Sequence, residues 1–348
     1  MGFLDKILAP TPTLPRFAGE GVKGRAAEFP PLRSGGGLGW GQVLTTALTL
    51  LASTALAGPL SYDLKPAAIA PGTYVFEGTR EHFTRTNGGN ILNPAFIVTG
   101  DGVVVIQTGP SRRFGEEMRA AIRTVSAQPI RKVFVSNLHP DYWLGNQAFA
   151  DVPIAALPGT IQGIRDEGKG ITENMYRLVG DWMRGTEMVV PSEPVYGSTV
   201  VYGSHRLRLI PLEGHTPADL AILDETTGVL FAGGVVFCDR TPTTPHADIA
   251  GWLKALDALD ALDGVRTLVP NHGRIRTDKA CIAQTRDWLT WLDRTLRDAV
   301  EAGMDMTEAL NLPIPERFAG LGVLREEYQR SVAHLWPKIE QAALPRVN

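Results

Sequence analysis

The sequence predicts an α/β fold in which sheets are covered by helices, and three observations point to it. Short β-branched and apolar runs recur along the chain and read as strands, several of them joined as hairpins. Segments with apolar residues at helical spacing alternate with these runs. The 348 residues, 44% hydrophobic and 20% charged, suffice for a buried core. This order of elements argues against a helical bundle and an all-β sandwich.

The amino-terminal segment is predicted to be a leader. Residues 1–42 are rich in Gly, Pro and Arg and lack periodicity, so we predict that they are disordered. Residues 43–57, VLTTALTLLASTALA, are apolar and end in the small-x-small pattern of a signal-peptide cleavage site. This stretch is shorter than the ~20 residues of a transmembrane helix. We therefore expect a periplasmic or exported protein with no membrane span after processing.

One alternative to export stays open. The nearest positive charge before the apolar stretch is Arg33, so no basic segment abuts it. A short apolar stretch is also typical of a buried core helix. If residues 43–57 are not a signal peptide, the protein is expected to be cytoplasmic.

Residues 58–278 are predicted to form the α/β domain, which opens with strands. GTYVFEG is the first, and NPAFIVTG and VVVIQTG form a hairpin that turns at Gly-Asp-Gly. A helix from about Ser111 to Ala127 follows, with Ser111 as its N-cap and one apolar face. RKVFVSN is predicted to be a buried strand.

The second half alternates in the same way. PGTIQGIRDEG and ENMYRLVGDWM are predicted as two helical pieces, followed by strand pairs in STVVYGSHRLRLIPLEG and LAILDETTGVLFAGGVVF. IAGWLKALDALDALDG is predicted to be a helix and RTLVP a strand. Residues 279–348 are predicted to form helices at about 279–302 and 326–343, whose apolar faces close the core or form a dimer contact.

Three predicted strands each lead into a segment that contains a histidine. His139 and Asp141 follow RKVFVSN, His215 lies in EGHTPAD, and His272 lies in NHG after RTLVP. Three imidazoles and a carboxylate suit Zn²⁺ or a similar divalent ion. The His-Pro-Asp triplet alone is equally compatible with a loop or capping role. The prediction of a metal site therefore depends on all three segments together.

In their order and separation these segments resemble the signature motifs of the metallo-β-lactamase superfamily over about residues 73–275. The resemblance implies an αββα sandwich, bound zinc and a hydrolytic activity. The stretches GGNILNPAF, GPSRR, FADVPIAALPGTIQGIR, GDWMRGTE and DRTPTTPHAD further resemble the quinoprotein relay system zinc metallohydrolases. That branch is associated with exported alcohol oxidation systems that depend on pyrroloquinoline quinone, so it implies a PQQ-dependent dehydrogenase system as a partner.

Four positions depart from the superfamily pattern. Asn137 and Tyr142 stand where the first motif has its first and last histidines. Gly234 replaces the bridging aspartate, and Gln107 replaces a structural aspartate. A dinuclear centre is therefore not expected, and one ion is favoured over two, zinc or another divalent metal.

The resemblance also sorts the remaining ligands. His139 and His215 belong to the first metal position, and Asp141 and His272 to the second. A catalytic zinc ion needs about three protein ligands, so each pair needs a neighbour. The candidates for this role, as a metal ligand or a substrate contact, are Asn137, Tyr142, Asp239 and His246.

Several of these residues have alternative interpretations. Asn137 is a poorer zinc ligand than imidazole and is interpreted first as a hydrogen-bonding residue. Tyr142 is a site residue by position, with simple packing beside Trp143 as the alternative. Asn137, Asp141 and Tyr142 are the candidate catalytic residues. Asp219 is predicted to support a metal-bound histidine by accepting its second N–H.

The two cysteines allow few interpretations. Cys238 lies on the strand that follows Gly234 and is either a buried core residue or a thiolate ligand. Cys281 is the only other cysteine, so one disulfide is possible but not predictable, and no C-x-x-C motif exists.

Two functions follow. The first is a metal-dependent hydrolase that cleaves an ester, thioester or amide-like bond of a small molecule with activated water. The second is an inactive protein of the same fold that binds a quinone, an aldehyde-related metabolite or a dehydrogenase in the altered pocket. The formal net charge of −3 and the absence of a basic, aromatic-rich run argue against nucleic-acid binding.

Overall fold

A computed structural model describes residues 60–343 of the protein. The predicted leader, residues 1–42, and the predicted signal-peptide segment, residues 43–57, lie outside the described residues.

The described chain contains fourteen strands and seven α-helices. The strands are β1 (Ala67–Ala70), β2 (Thr73–Val75), β3 (Ala95–Val98), β4 (Val103–Ile106), β5 (Ile130–Val135), β6 (Ile154–Ala156), β7 (Glu193–Pro194), β8 (Ser198–Tyr202), β9 (His205–Leu212), β10 (Asp219–Asp224), β11 (Val229–Phe231), β12 (Phe237–Cys238), β13 (Thr267–Val269) and β14 (His272–Gly273). The helices are α1 (Arg112–Val125), α2 (Pro140–Trp143), α3 (Pro158–Val179), α4 (Ile249–Asp260), α5 (Ala280–Glu301), α6 (Met306–Ala309) and α7 (Leu324–Ala343).

The strands form two main sheets. The first has the order β1-β2-β3-β4-β5-β6-β7, antiparallel from β1 to β4 and parallel from β4 to β7. The second has the order β13-β11-β10-β9-β8 and is antiparallel except where β11 pairs with β13. β12 and β14 form a separate parallel pair beside the site.

The two sheets pack face to face because the side chains on their facing surfaces are apolar. The side chains on their outer surfaces are apolar as well. In β4, Val104 and Ile106 enter the core shared with Leu220 and Ile222 of β10. The intervening Val103 and Val105 of β4 face the opposite way, into another core.

Helices cover the outer face of each sheet. Phe114 and Met118 of α1 and Ile164 of α3 pack on the first sheet. Trp252 of α4 and Trp288 of α5 pack on the second sheet, together with α7. The result has four layers in the order helix, sheet, sheet, helix, which confirms the predicted α/β sandwich.

Local signals explain several boundaries. Ser111 caps α1, because its side chain accepts a hydrogen bond from the amide of Phe114. The hairpin of β3 and β4 turns at Gly100 and Gly102, which both have positive φ angles. The predicted C-terminal helices begin and end within about two residues of α5 and α7.

One local prediction was wrong. The two predicted helical pieces between residues 158 and 183 form the single helix α3, followed by a 3-10 turn. The glycines between the pieces do not break the helix, because Gly168 is buried where Met188 and Trp143 approach its backbone closely. A Cβ atom at Gly168 would lie 2.6 Å from the Met188 sulfur, so a larger residue would disturb this packing.

Cys238 and Cys281 form a disulfide that joins β12 to α5 across 43 residues of sequence. Both residues are buried, and their Cα atoms are 5.1 Å apart. Cys238 is therefore a cross-linked core residue, and its sulfur is not a thiolate ligand.

No helix within residues 60–343 is both long enough and apolar enough to cross a bilayer.

Replacing both Cys238 and Cys281 by alanine should lower the free energy of unfolding by about 2–4 kcal/mol, because the cross-link restricts the unfolded chain. Equilibrium urea unfolding of the wild type and the double variant, each with and without reductant, measures this loss. Reductant should destabilise the wild type and leave the double variant unchanged. An unfolding midpoint of the wild type that is insensitive to reductant would contradict the prediction.

Candidate metal centre

The candidate residues lie at one edge of the sandwich because strands of both sheets end there. β5 leads into His139, the turn between β9 and β10 carries His215, and β13 leads into His272. A hydrogen bond of 2.8 Å from the Leu220 amide to the Ser136 carbonyl joins the two sheets at this edge. The three histidine segments are thus brought together from distant parts of the chain.

Asp141 is held by a short helix. Pro140 occupies the first turn of α2, where its fixed φ angle favours helix initiation, and Asp141 and Tyr142 follow it. Asp141 and Tyr142 are buried, with exposed fractions of 1% and 0%.

His215 is oriented by Asp219. Oδ1 of Asp219 lies 3.2 Å from Nδ1 of His215, and its Oδ2 accepts a hydrogen bond of 2.7 Å from the Thr216 amide. A carboxylate can only accept, so Nδ1 of His215 carries the proton and Nε2 keeps its lone pair. Nε2 of His215 is buried and has no hydrogen-bond partner among the described residues.

His272 is oriented in the same manner by a backbone group. Its Nδ1 lies 2.9 Å from the carbonyl oxygen of Ile91, so Nδ1 donates and Nε2 keeps its lone pair. Burial, and then the charge of Arg240, hold the pKa of His272 well below its usual value. The imidazole is therefore neutral at pH 7, the form in which histidine binds metal ions.

Asp141 and His272 face each other with two acceptors. Nε2 of His272 is 3.4 Å from Oδ2 of Asp141, yet their geometry is not that of a hydrogen bond, and Oδ2 has no partner among the described residues. Two ligand atoms bound at about 2.0–2.1 Å to a tetrahedral zinc ion lie roughly 3.3–3.5 Å apart. The separation therefore fits two ligands of one ion.

The protonation of Asp141 is consistent with this interpretation. Burial raises the pKa of Asp141 to about 7, with a backbone hydrogen bond and the charge of Arg240 opposing the increase. A buried carboxylate is unfavourable without a compensating positive charge. A proton on Asp141, or a cation between Asp141 and His272, would offset this cost of burial.

Tyr142 has a buried hydroxyl group that makes no well-formed hydrogen bond within residues 60–343, although the side chains of Asn271 and Asn137 lie near it. Burial and then the charge of Asp141 hold its pKa well above the usual value. The phenol therefore keeps its proton, and the hydroxyl is available as a donor.

Asn137 connects two elements of the site. Its Oδ1 accepts a hydrogen bond of 3.0 Å from the His139 amide, and its Nδ2 donates to Oδ1 of Asp219 at 3.2 Å. Because both ends of the amide are engaged in this way, Asn137 fixes the loop before His139 relative to Asp219.

Gly234, at the position of the superfamily's bridging aspartate, lies directly against two site residues. A Cβ atom at this position would overlap Nδ1 of His215 and lie 2.5 Å from Nδ2 of Asn137. Any side chain at Gly234 would therefore displace His215 or Asn137. A bridging carboxylate cannot be accommodated in the present arrangement.

Gln107, at the position of the superfamily's structural aspartate, forms a hydrogen bond at the edge of the sheet that carries the site. Its backbone has a positive φ angle of 59°, and its Nε2 donates a 2.7 Å hydrogen bond to the Ser136 hydroxyl. Gln107 thus helps to hold the end of β5.

The structure brings His246 to the site but directs Asp239 away from it. Nδ1 of His246 lies 2.9 Å from Nε2 of His139, a hydrogen-bond distance that is shorter than the separation of two zinc ligands. Asp239 instead lies 3.6 Å from Nε of Arg274 and receives a hydrogen bond from Gln284.

Glu167 is a site residue that the sequence did not suggest. Its Oε2 lies 3.0 Å from Nε2 of His246. Glu167 lies on α3 in an ordinary charged stretch, and no local pattern distinguishes it from neighbouring acidic residues. Only the tertiary fold brings it to His246.

The candidate ligands are of the chemical types that bind divalent cations, but they do not lie close enough together to coordinate one ion. Among residues 60–343, no three His, Cys, Asp or Glu side chains are close enough together to hold an ion as they stand. The ring centres of His139 and His215 are 4.6 Å apart, and Phe237 stacks on His272 at 5.0 Å. Side-chain movement would be needed to add a third ligand to Asp141 and His272.

The site is almost closed to solvent. The exposed fractions of His139, His215 and His272 are 7%, 0% and 2%. His246 and Glu167 are more accessible, with side-chain exposures of 26% and 50%. Solvent therefore approaches the site from the side of His246.

The four-layer sandwich and the histidine-bearing edge define a recognisable class of α/β protein. A family model described as the metallo-beta-lactamase superfamily matches residues 88–272, more than half of the chain. The protein belongs to the metallo-beta-lactamase superfamily, as the sequence motifs indicated. No curated protein sequence matches the chain.

Solved structures of metallo-beta-lactamases have the same fold. One from Pontibacter korlensis is 20% identical with a TM-score of 0.54, over 65% of this chain and 99% of that chain. FIM-1 from Pseudomonas aeruginosa, solved in a mono-zinc form, is 16% identical with a TM-score of 0.54, over 67% and 97% of the two chains. IND-7 is 16% identical with a TM-score of 0.53, over 66% and 100%. At these low sequence identities, the structural similarity shows a common fold.

Replacing Gly234 by alanine should destabilise the protein by about 1–3 kcal/mol, because the added methyl group must displace His215 or Asn137. Urea unfolding measures the change. Gly170→Ala is the matched control. Gly170 lies in α3, and a Cβ atom at this position would have no neighbouring atom within 4 Å. The control should be neutral or stabilising by up to ~1 kcal/mol. Equal stability of Gly234→Ala and the wild type would show that the site has free space.

Proposed function

We propose that the protein is a metal-dependent hydrolase that uses one Zn²⁺ or similar divalent ion. The proposal rests mainly on Asp141 and His272: the unpartnered Oδ2 of Asp141 lies 3.4 Å from Nε2 of His272. His215 and His139 are the further ligands, the first through its buried, unpartnered Nε2. Imidazole and carboxylate groups are suitable ligands for such an ion.

A single ion is favoured over two. The bridging position at Gly234 is closed by contacts with His215 and Asn137. Asn137, at the position of a superfamily ligand, uses both ends of its amide for hydrogen bonds. FIM-1, which has the same fold, was solved in a mono-zinc form.

When bound, a divalent ion would supply Lewis-acid polarisation of the substrate and a nucleophilic water at neutral pH. Asp141 is placed to accept a proton beside His272, and the aromatic rings of Phe237 and Trp252 exclude bulk water around His215. The buried hydroxyl of Tyr142 can donate a hydrogen bond to an oxygen atom that gains negative charge. No serine or cysteine nucleophile is required.

The substrate class that we propose is a small molecule with an ester, thioester or amide-like bond. We further propose that the protein is exported and serves a PQQ-dependent alcohol oxidation system, as the resemblance to the quinoprotein relay system branch suggests. The disulfide between Cys238 and Cys281 supports an oxidising compartment such as the periplasm.

A second candidate function is binding without hydrolysis. Two observations favour it: the near-complete burial of the histidines, and the absence of a preformed three-ligand group among residues 60–343. In this case the protein would recognise a small molecule or a dehydrogenase through the altered edge of the sandwich.

Metal content distinguishes the two functions. We expect about one equivalent of Zn, Fe or Mn per purified chain, measured by mass spectrometry of the elements, since one set of ligands is present. His215→Ala should lose the metal and the hydrolysis of a chromogenic cephalosporin, a p-nitrophenyl ester or a thioester.

His205→Ala is the matched control for that experiment. His205 is also buried and bonded to a carboxylate, Asp224, but it lies at the opposite end of β9 from the site. This control should lose stability and keep the metal. A wild-type protein with far less than one equivalent would refute the hydrolase proposal, whereas metal-dependent turnover would refute the binding proposal.

Replacing Tyr142 by phenylalanine should lower kcat by about 10²-fold with little change in KM, because the variant lacks a donor used in the transition state. Its free energy of unfolding should equal or exceed that of the wild type, since a buried hydroxyl without a partner is removed. Steady-state kinetics and urea unfolding measure the two effects. A clear loss of stability would mean that the hydroxyl has a structural partner.

A further inference from the structure

A chain of hydrogen bonds runs from the surface to a proposed metal ligand. Oε2 of Glu167 lies 3.0 Å from Nε2 of His246, and Nδ1 of His246 lies 2.9 Å from Nε2 of His139. Exposure falls along the chain, from the half-exposed Glu167 through His246 to the buried His139.

When both imidazoles are neutral, the Glu167 carboxylate sets the direction of each hydrogen bond. A carboxylate only accepts, so Nε2 of His246 carries a proton and donates to Glu167. Nδ1 of a neutral His246 is then an acceptor, and Nε2 of His139 must donate to it. In a neutral imidazole only one ring nitrogen carries a proton, so Nδ1 of His139 keeps its lone pair.

The loop that carries His246 is anchored at both ends. On one side the hydroxyl of Thr244 bonds to Ser331 of α7 at 3.0 Å. On the other side the amide of Asp248 donates to the carbonyl of Gly214 at 2.8 Å, beside His215. The position of His246 is therefore determined by the same framework that holds the site.

We propose that Glu167 and His246 are positioning residues that fix the tautomer of His139, so that its Nδ1 carries the free lone pair. His215 and His272 are oriented by Asp219 and the Ile91 carbonyl. Nε2 of His139 contacts neither a carboxylate nor a backbone carbonyl directly. It bonds to His246, which in turn bonds to the carboxylate of Glu167. The role of this tautomer in metal binding rests on the proposed function. The assignment of the tautomer itself rests only on the hydrogen bonds.

Reversing the polarity at Glu167 tests the proposal. In Glu167→Lys an ammonium group donates to Nε2 of His246, which moves the proton of His246 to Nδ1 and makes Nε2 of His139 the acceptor. His139 should then change to the Nδ1–H tautomer. Long-range ¹H–¹⁵N NMR of the metal-free, full-length protein reports which ring nitrogen of His139 is protonated.

Two variants control for charge and for hydrogen bonding. Glu167→Gln keeps an acceptor oxygen at Glu167 and should keep the wild-type tautomer of His139. Glu173→Lys makes the same charge change at an exposed position of α3 and should have no effect. An unchanged His139 tautomer in Glu167→Lys, or an equal change in Glu173→Lys, would overturn the proposal.

Zinc titration separates this proposal from the proposed function. If the site binds zinc, Glu167→Lys should weaken the affinity by about 10–100-fold, as loss of a supporting carboxylate does, and Glu167→Gln should weaken it less. If the wild type binds no zinc while the tautomer changes as expected, the positioning role stands and the hydrolase proposal fails.

Discussion

The backbone hydrogen bond from Leu220 to Ser136 joins the two sheets at the edge that carries the site histidines. It lies between the residues that lead to His139 and those that follow His215, so it fixes the distance between two segments far apart in sequence. The apolar core between the sheets stabilises this arrangement, because Ile106 and Ile222 pack in it close to the same edge. A change that separated the sheets would therefore increase the distance between His139 and His215 even if both side chains stayed intact.

A second regularity is the acceptor behind each imidazole. Asp219, the carbonyl of Ile91 and the pair Glu167–His246 each take up one ring N–H. In this tautomer the second ring nitrogen of each imidazole is an acceptor, and that of His272 lies 3.4 Å from Oδ2 of Asp141. Such a concentration of acceptors without donors is unfavourable in a protein interior. A bound cation removes this cost, and a protonated Asp141 removes part of it.

The sequence predicted those features that depend on local patterns. Apolar alternation predicted the strands, the Ser111 cap predicted the start of α1, and the segments around His139, His215 and His272 predicted the superfamily. It did not predict the role of Glu167, the pairing of Cys238 with Cys281, or the continuity of α3 at Gly168. Each of these depends on which residues meet in space. A charged helix position, a cysteine and a helix glycine look the same in sequence whatever lies opposite them.

The contact of Gly234 with His215 and Asn137 makes these positions epistatic. A carboxylate introduced at Gly234 alone would meet an occupied space, and a histidine introduced at Asn137 alone would lose the hydrogen bonds to His139 and Asp219. The superfamily's dinuclear pattern therefore cannot be approached through independent single substitutions of equal benefit. Its recovery would require coordinated changes at Gly234 and Asn137, because the side chains at the two positions compete for the same space.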